Sequence, residues 1–135
     1  MPINSFIAAT EPLGDRAAEV LTKDVAVADD KIVVNYFRLS EDKRLLFGGR
    51  ENYGIGFPSD ILTALRKRIE RIFPQLAGVG IDYHWGGSLG ITMLRLPLIR
   101  RVGPGILAAG GFSGHGVAIT GLPGKILAET VVGQA

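Results

Sequence analysis

No cysteine occurs among the 135 residues, which removes disulfides, zinc–thiolate sites and thiol catalysis together. Charge of one sign is equally scarce. Fifteen Lys and Arg stand against thirteen Asp and Glu, a formal balance of only +2, so nothing demands a nucleic-acid partner. No stretch approaches the ~18 consecutive apolar residues of a membrane span. The N-terminal MPINSFIAATEPLGDR also lacks the charged-then-apolar layout of a secretory signal, so the expected location is the cytoplasm. With 47% hydrophobic and 21% charged residues, the chain reads as one globular domain and not as a disordered segment.

What is abundant is glycine. Nineteen in 135 residues is about twice the usual share, and most fall between Gly78 and Gly133. Glycine gathered at one end of a packed chain implies repeated close approaches of bare backbone.

Along the chain, INSFIAAT (residues 3–10) reads as a buried strand ended by the turn residues Glu11 to Gly14. Residues 15–21 allow a brief helix. IVVNYFRL (32–39) is β-branched and aromatic, and SEDK connects it to RLLFGGR (44–50), which predicts an antiparallel hairpin. The clearest helix follows Ser59, a good N-cap, with Ile61, Leu62, Leu65, Ile69, Ile72 and Phe73 at helical spacing and Pro74 as its stop. Its other face carries Arg66, Lys67, Arg68, Glu70 and Arg71, which reads as a solvated surface. VGIDYHW (79–85) and SLGITML (88–94) read as a second hairpin turned at Gly86-Gly87. A short apolar strand at 106–109 follows the turn Gly103-Pro104-Gly105, and a last helix over 114–132 is expected to kink or split at Pro123. Strands with a helix between hairpins make the fold class α+β, an antiparallel or mixed sheet with two main helices.

The segment GGFSGHGVAITGLPGK (110–125) lies between a strand and a helix. The first N–H groups of a helix lack internal partners, and glycine removes the Cβ atoms that keep a ligand away, so the junction suits an anion or an electron-rich carbonyl. A tight turn that needs glycine only for positive φ is the alternative. Two phosphate loops fail: GxxxxGK[ST] breaks at Ile119 and Ile126, and Gly111 to Gly116 reads G-F-S-G-H-G, not G-x-G-x-x-G. No metal-ligand spacing is present.

Taken in order, Trp85 with Gly87, Thr92 with Pro97, the strand at 106–109, and Gly111, Gly114, His115 and Gly116 resemble the C-terminal portion of the FAD-dependent amine and amino-acid oxidoreductases, the D-amino-acid oxidase and glycine oxidase family. The pattern is nearest to the gamma-glutamylputrescine oxidase type. INSFIAATEPL, YFRLSEDKRLLFGGR and the helix ending FPQL match upstream, so the likeness covers nearly the whole chain.

The resemblance implies FAD as cofactor, with Gly110, Gly111, Phe112, Ser113, Gly114, His115, Gly116 and Val117 against the flavin ring and the helix end favouring the negative charge of its reduced form. It also implies that Tyr36, Arg38, Arg50 and Trp85, with Tyr83 beside them, face a small amine or amino-acid substrate, which is oxidised at its C–N bond by hydride transfer to FAD. Residues 1–96 then correspond to substrate domain and 97–135 to the flavin-contacting strand, loop and helix. The family's dinucleotide-binding unit with its G-x-G-x-x-G is absent from these residues. The loop alone cannot supply the roughly 12 kcal/mol of nanomolar binding, so the chain by itself is expected to be inactive, to retain no FAD, and to self-associate through faces left uncovered. The competing reading is a non-catalytic α+β interaction module of the same fold.

The chain departs from the family pattern in four places. Pro97-Leu98-Ile99-Arg100-Arg101 replaces Pro-x-x-Gly-Arg, Leu94 replaces an Asp, Pro123 interrupts the last helix, and Leu89 stands where the amino-acid oxidases place the arginine that clamps a substrate carboxylate. A bidentate clamp needs a guanidinium. An amine or polyamine derivative is therefore the expected substrate.

Overall fold

The buried strand expected at INSFIAAT is β1, Pro2–Thr10, with Phe6 and Ala8 fully buried. The structure, a computed structural model, describes residues 1–31, 33–54 and 56–133, and at residue 50 the backbone alone. The chain divides into two units, Asn4–Gly87 and Met1–Ile3 with Ser88–Ala135.

In the first unit, β2 (Val27–Ala28), β3 (Tyr36–Leu39), β4 (Leu45–Asn52), β1 and β5 (Ile81–Gly90) form a sheet in the order β2-β3-β4-β1-β5. The expected hairpin is there: β3 and β4 are antiparallel, with Leu39 opposite Leu45 and Phe37 opposite Phe47. Its first strand starts later than expected, at Tyr36, and residue 32 lies outside the described residues. β4 also pairs antiparallel with β1, and the register slips between Phe6 and Ile7, where Phe6 faces Arg50 and Ile7 faces Gly48. That slip is a β-bulge at Gly49, which increases the local twist. Residues 14–19 form a 3-10 turn where a brief helix was expected.

Helix α1, Ile61–Ile72, covers the sheet with Leu65 and Ile69 buried. Its cap is Asp60 and not Ser59, because the Asp60 carboxylate accepts the Thr63 N–H at 3.0 Å. Phe37 joins helix to sheet, stacking on Phe47 at 6.4 Å and meeting Phe73 edge-on at 5.0 Å. The basic face of α1 is not simply solvated. Arg66 donates to the Val79 carbonyl at 2.8 Å, and Arg68 donates to Asn35 Oδ1 at 2.5 Å and to the Val33 carbonyl at 3.1 Å. Two of the five polar residues are thus loop clamps.

The expected second hairpin is absent. Residues 81–90 run as one strand, β5, and the Gly86-Gly87 pair is not a turn. A Cβ at Gly86 would stand 2.6 Å from Phe6 Cδ1 and 3.3 Å from the Ser5 carbonyl oxygen, so glycine is there to let the strand backbone lie on the Phe6 ring. Gly86→Ala should therefore lower unfolding free energy by about 1–3 kcal/mol in urea titration; a turn glycine facing solvent would not respond so.

Arg44 secures the β3–β4 turn. It donates to Asp42 at 2.6 Å, Asp82 at 2.5 Å and the Thr10 carbonyl at 2.8 Å, and its guanidinium sits 5.3 Å from the Tyr83 ring centre. The Ser40 hydroxyl, which donates to Asp42 at 2.6 Å, and then Arg44 hold the Asp42 carboxyl below the usual carboxylate range. A depressed folded-state pKa contributes stability at neutral pH that is lost as pH falls through about 4 and below. Ser40→Ala should move the Asp42 midpoint upward in a carboxyl-carbon NMR titration and shift acid unfolding to higher pH.

In the second unit, β6 (Leu98–Gly103) and β7 (Ile106–Gly110) form an antiparallel pair around the expected Gly103-Pro104-Gly105 turn. Strand β6 was not anticipated. The last helix is split as expected, but ahead of the proline: α2 is Gly116–Ile119, Thr120 is the junction, and α3 is Gly121–Val132. Pro123 lies in the first turn of α3, where no N–H is needed, and it is the buried residue of that helix. Among the described residues, the two sheets and three helices are α+β.

Candidate functional site

The glycine loop runs from β7 to α2 through Gly111, Phe112, Ser113, Gly114 and His115. Three of these hold positive φ: Gly111 at 66°, Ser113 at 54° and Gly114 at 87°. Those values turn the backbone sharply enough that its amides find few acceptors inside the chain. Ser113 N–H donates to the Gly90 carbonyl at 2.9 Å and His115 N–H to the Phe112 carbonyl at 2.9 Å. Among the described residues, the N–H groups of Phe112, Gly114, Gly116 and Val117 donate to no protein acceptor. His115 is exposed, and its side chain does not cap α2. Beside the loop lies a cavity of about 370 Å³ whose walls include Leu98, Val102, Ala108, Gly110 and Gly111. Arg100, one of the departures from the family pattern, is the only charged side chain lining it among the described residues.

In the sheet, Tyr36 and Arg38 lie two residues apart on β3 and share a face. The Tyr36 ring lies flat on Gly48, where any Cβ would overlap it, and its hydroxyl is 3.3 Å from Ser5 Oγ. Arg38 is exposed, pairs with Asp24 at 3.5 Å and donates to the Leu39 carbonyl at 3.2 Å. It also lines a separate open groove of about 450 Å³ with Lys23, Glu41 and Lys43. Arg50 contributes backbone in β4 opposite Phe6, and its side chain lies outside the described residues. Trp85 is 46% exposed on β5. β4 and β1 separate β5 from β3, a span of roughly 14 Å. The sheet therefore brings Tyr36 and Arg38 together and leaves Trp85 apart from them. Among the described residues, no cluster of three or more His, Cys, Asp or Glu could hold a metal ion.

Residues 1–130 match the family model described as FAD dependent oxidoreductase. The chain belongs to that family. It is 49% identical over 135 residues to a probable oxidoreductase OrdL of Rhizobium meliloti (strain 1021), covering 100% of this chain and 31% of that one. It is 38% identical over 136 residues to the gamma-glutamylputrescine oxidoreductase of Escherichia coli (strain K12), covering 100% of this chain and 32% of the relative. The chain thus spans about a third of the length of the curated relatives it matches. Among solved structures it resembles the L-proline dehydrogenase from P. horikoshii, with a TM-score of 0.73 and 23% identity over 96% of this chain and 35% of that one. At that identity the likeness concerns the fold alone.

The family is FAD-dependent, and the loop fits the ring end of that cofactor. The amides of Phe112, Gly114, Gly116 and Val117, which follow the cavity-lining Gly110 and Gly111 in the chain, offer donors to an electron-rich carbonyl. Sequence reasoning names Thr92, which packs on the loop, only as a motif residue, and misses Ser5 and Gly48, which fix Tyr36. The Gly48-Gly49 pair within a strand was the available signal, since glycine there marks a close approach.

Proposed function

We propose that the chain forms the substrate-facing sheet and the flavin-contacting loop of an oxidoreductase that oxidises a C–N bond of an amine. The single observation that carries this reading is the set of free amides at Phe112, Gly114, Gly116 and Val117 in a chain of the FAD-dependent family. When bound, the flavin supplies the acceptor for the hydrogen and electron pair that leave the amine-bearing carbon. The free amides within residues 110–117 would hold its electron-rich carbonyl edge, with His115 closing the turn behind them. Tyr36, Arg38, Arg50 and Trp85 are the proposed substrate-binding residues. Residues 97–135 carry the flavin contacts and 1–96 the substrate contacts, and the dinucleotide half of the site is contributed from outside these residues, so the chain alone binds a flavin ring only weakly, too weakly to retain FAD, and does not turn over.

Amine rather than amino-acid specificity rests on Leu89. A Cβ at Gly114 would lie 3.9 Å from Leu89 Cδ1, so an apolar side chain stands by the loop where a carboxylate clamp would need a guanidinium. The gamma-glutamylputrescine oxidoreductase among the relatives supports the same substrate class. The test is turnover by a full-length protein that contains these residues. Amines or polyamine derivatives are expected to react at least tenfold faster than D-amino acids, and Leu89→Arg to narrow the gap. Equal rates on both classes overturn the amine assignment.

Among the described residues, no helix is long and apolar enough to cross a membrane, and the proposed location is the cytoplasm. Leu94, Val117 and Val131 are 82%, 106% and 75% exposed, which supports self-association of the isolated chain. Light scattering should give a mass above that of the monomer.

A further inference from the structure

The conformation of the glycine loop converges on one residue, Ser113, which stands so far only as part of the proposed flavin-contacting segment, its hydroxyl given no task of its own. Ser113 is 5% exposed and holds φ at +54°, a region uncommon for any residue but glycine. Its hydroxyl accepts the Thr92 N–H at 3.3 Å and donates to the Gly111 carbonyl at 3.2 Å, while its own N–H reaches the Gly90 carbonyl at 2.9 Å. One buried residue therefore ties the loop to residues 90–92 and also spans the loop's own first turn.

The anchor it uses is itself fixed. Thr92 Oγ1 donates to the Leu96 carbonyl at 2.8 Å, which closes the 92–96 turn. The Thr92 methyl carbon stands 2.5 Å from where a Cβ on Gly111 would fall. A residue in a sparsely populated backbone region persists only where its surroundings over-determine it, and here they do so through three hydrogen bonds.

We propose that Ser113 is a positioning residue: its hydroxyl locks residues 111–117 in the conformation that leaves the Phe112, Gly114, Gly116 and Val117 amides free for the electron-rich carbonyl edge of a flavin. The inference rests on the flavin reading above. A locked loop needs no reordering when the ring arrives, so the effect of the hydroxyl appears in affinity.

The test compares nitrogen-15-labelled wild-type chain with Ser113→Gly and Ser113→Asn, titrated with riboflavin and followed by amide chemical shifts and hydrogen exchange, with Tm measured for each. Glycine removes the hydroxyl without strain at positive φ. Asparagine tolerates that φ and offers a side-chain carbonyl to the Thr92 N–H. Riboflavin affinity should fall about fivefold to tenfold in Ser113→Gly, as for a lost buried hydrogen bond. Exchange at the Thr92 and loop amides should quicken, with Tm changed by only a few degrees, and Ser113→Asn should recover much of the loss. Wild-type affinity in Ser113→Gly, or no recovery in Ser113→Asn, overturns the proposal. Should riboflavin leave the wild-type loop amides unshifted, the flavin reading fails and the flavin role of Ser113 falls with it. Unchanged exchange in Ser113→Gly shows instead that the lock itself is absent.

Discussion

Phe47→Ala is expected to destabilise the chain by about 3–5 kcal/mol, the range for emptying a buried aromatic site. Phe47 is 0% exposed. It lies in β4 opposite Phe37 on one side and Ala8 on the other, so its ring bridges three strands. The Phe37 ring stacks on it and reaches Phe73 at the end of α1, and removing Phe47 therefore loosens the helix as well as the sheet. Domains of this size have roughly 5–15 kcal/mol in total. The loss should thus appear as a large drop in urea midpoint with little change in slope. Phe57→Ala is the comparison. Phe57 is 53% exposed and meets Phe6 edge-on at 5.5 Å, so its removal should cost much less.

Gly111→Ala should have the largest effect on the candidate site. Its φ of +66° disfavours any side chain by about 1–2 kcal/mol. In addition, the new Cβ would stand 2.5 Å from Thr92 Cγ2, which cannot move without disturbing the 92–96 turn. The loop must shift, and the amides that follow shift with it. Riboflavin affinity is expected to fall at least tenfold, with a stability loss of about 1–3 kcal/mol. Gly121→Ala is the control, because a Cβ at Gly121 meets open space. It should leave riboflavin binding as it was. A Gly111→Ala chain that binds riboflavin normally would mean that the loop conformation does not matter for the ring.

The parts of the fold that the sequence announced are those where one local signal dominated. The mostly apolar INSFIAAT stopped by the turn residues Glu11 to Gly14, the apolar spacing from Ile61 to Ile72 and the polar SEDK turn each have one structural solution, and β1, α1 and the β3–β4 hairpin follow. The failures come where two readings share a residue type. Gly86-Gly87 is as good a turn as it is a close approach, and only the Phe6 ring, eighty positions away in the chain, decides it. Ser59 and Asp60 are both good caps, and the choice depends on which oxygen reaches Thr63. In LIRRV two arginines interrupt the apolar pattern, so β6 was hidden. Within the candidate site the glycines gave the loop away. The lock did not show, because a serine among glycines looks like any polar loop residue until its three hydrogen bonds are seen.

The Tyr36 ring resting on Gly48 makes those two positions a single inherited unit. A methyl group at 48 would overlap the Tyr36 ring where it now lies, so a larger residue at 48 requires that ring to swing away or residue 36 to become smaller. Change at this part of the sheet is therefore coupled: the glycine is free to vary only after the tyrosine has moved aside or been replaced.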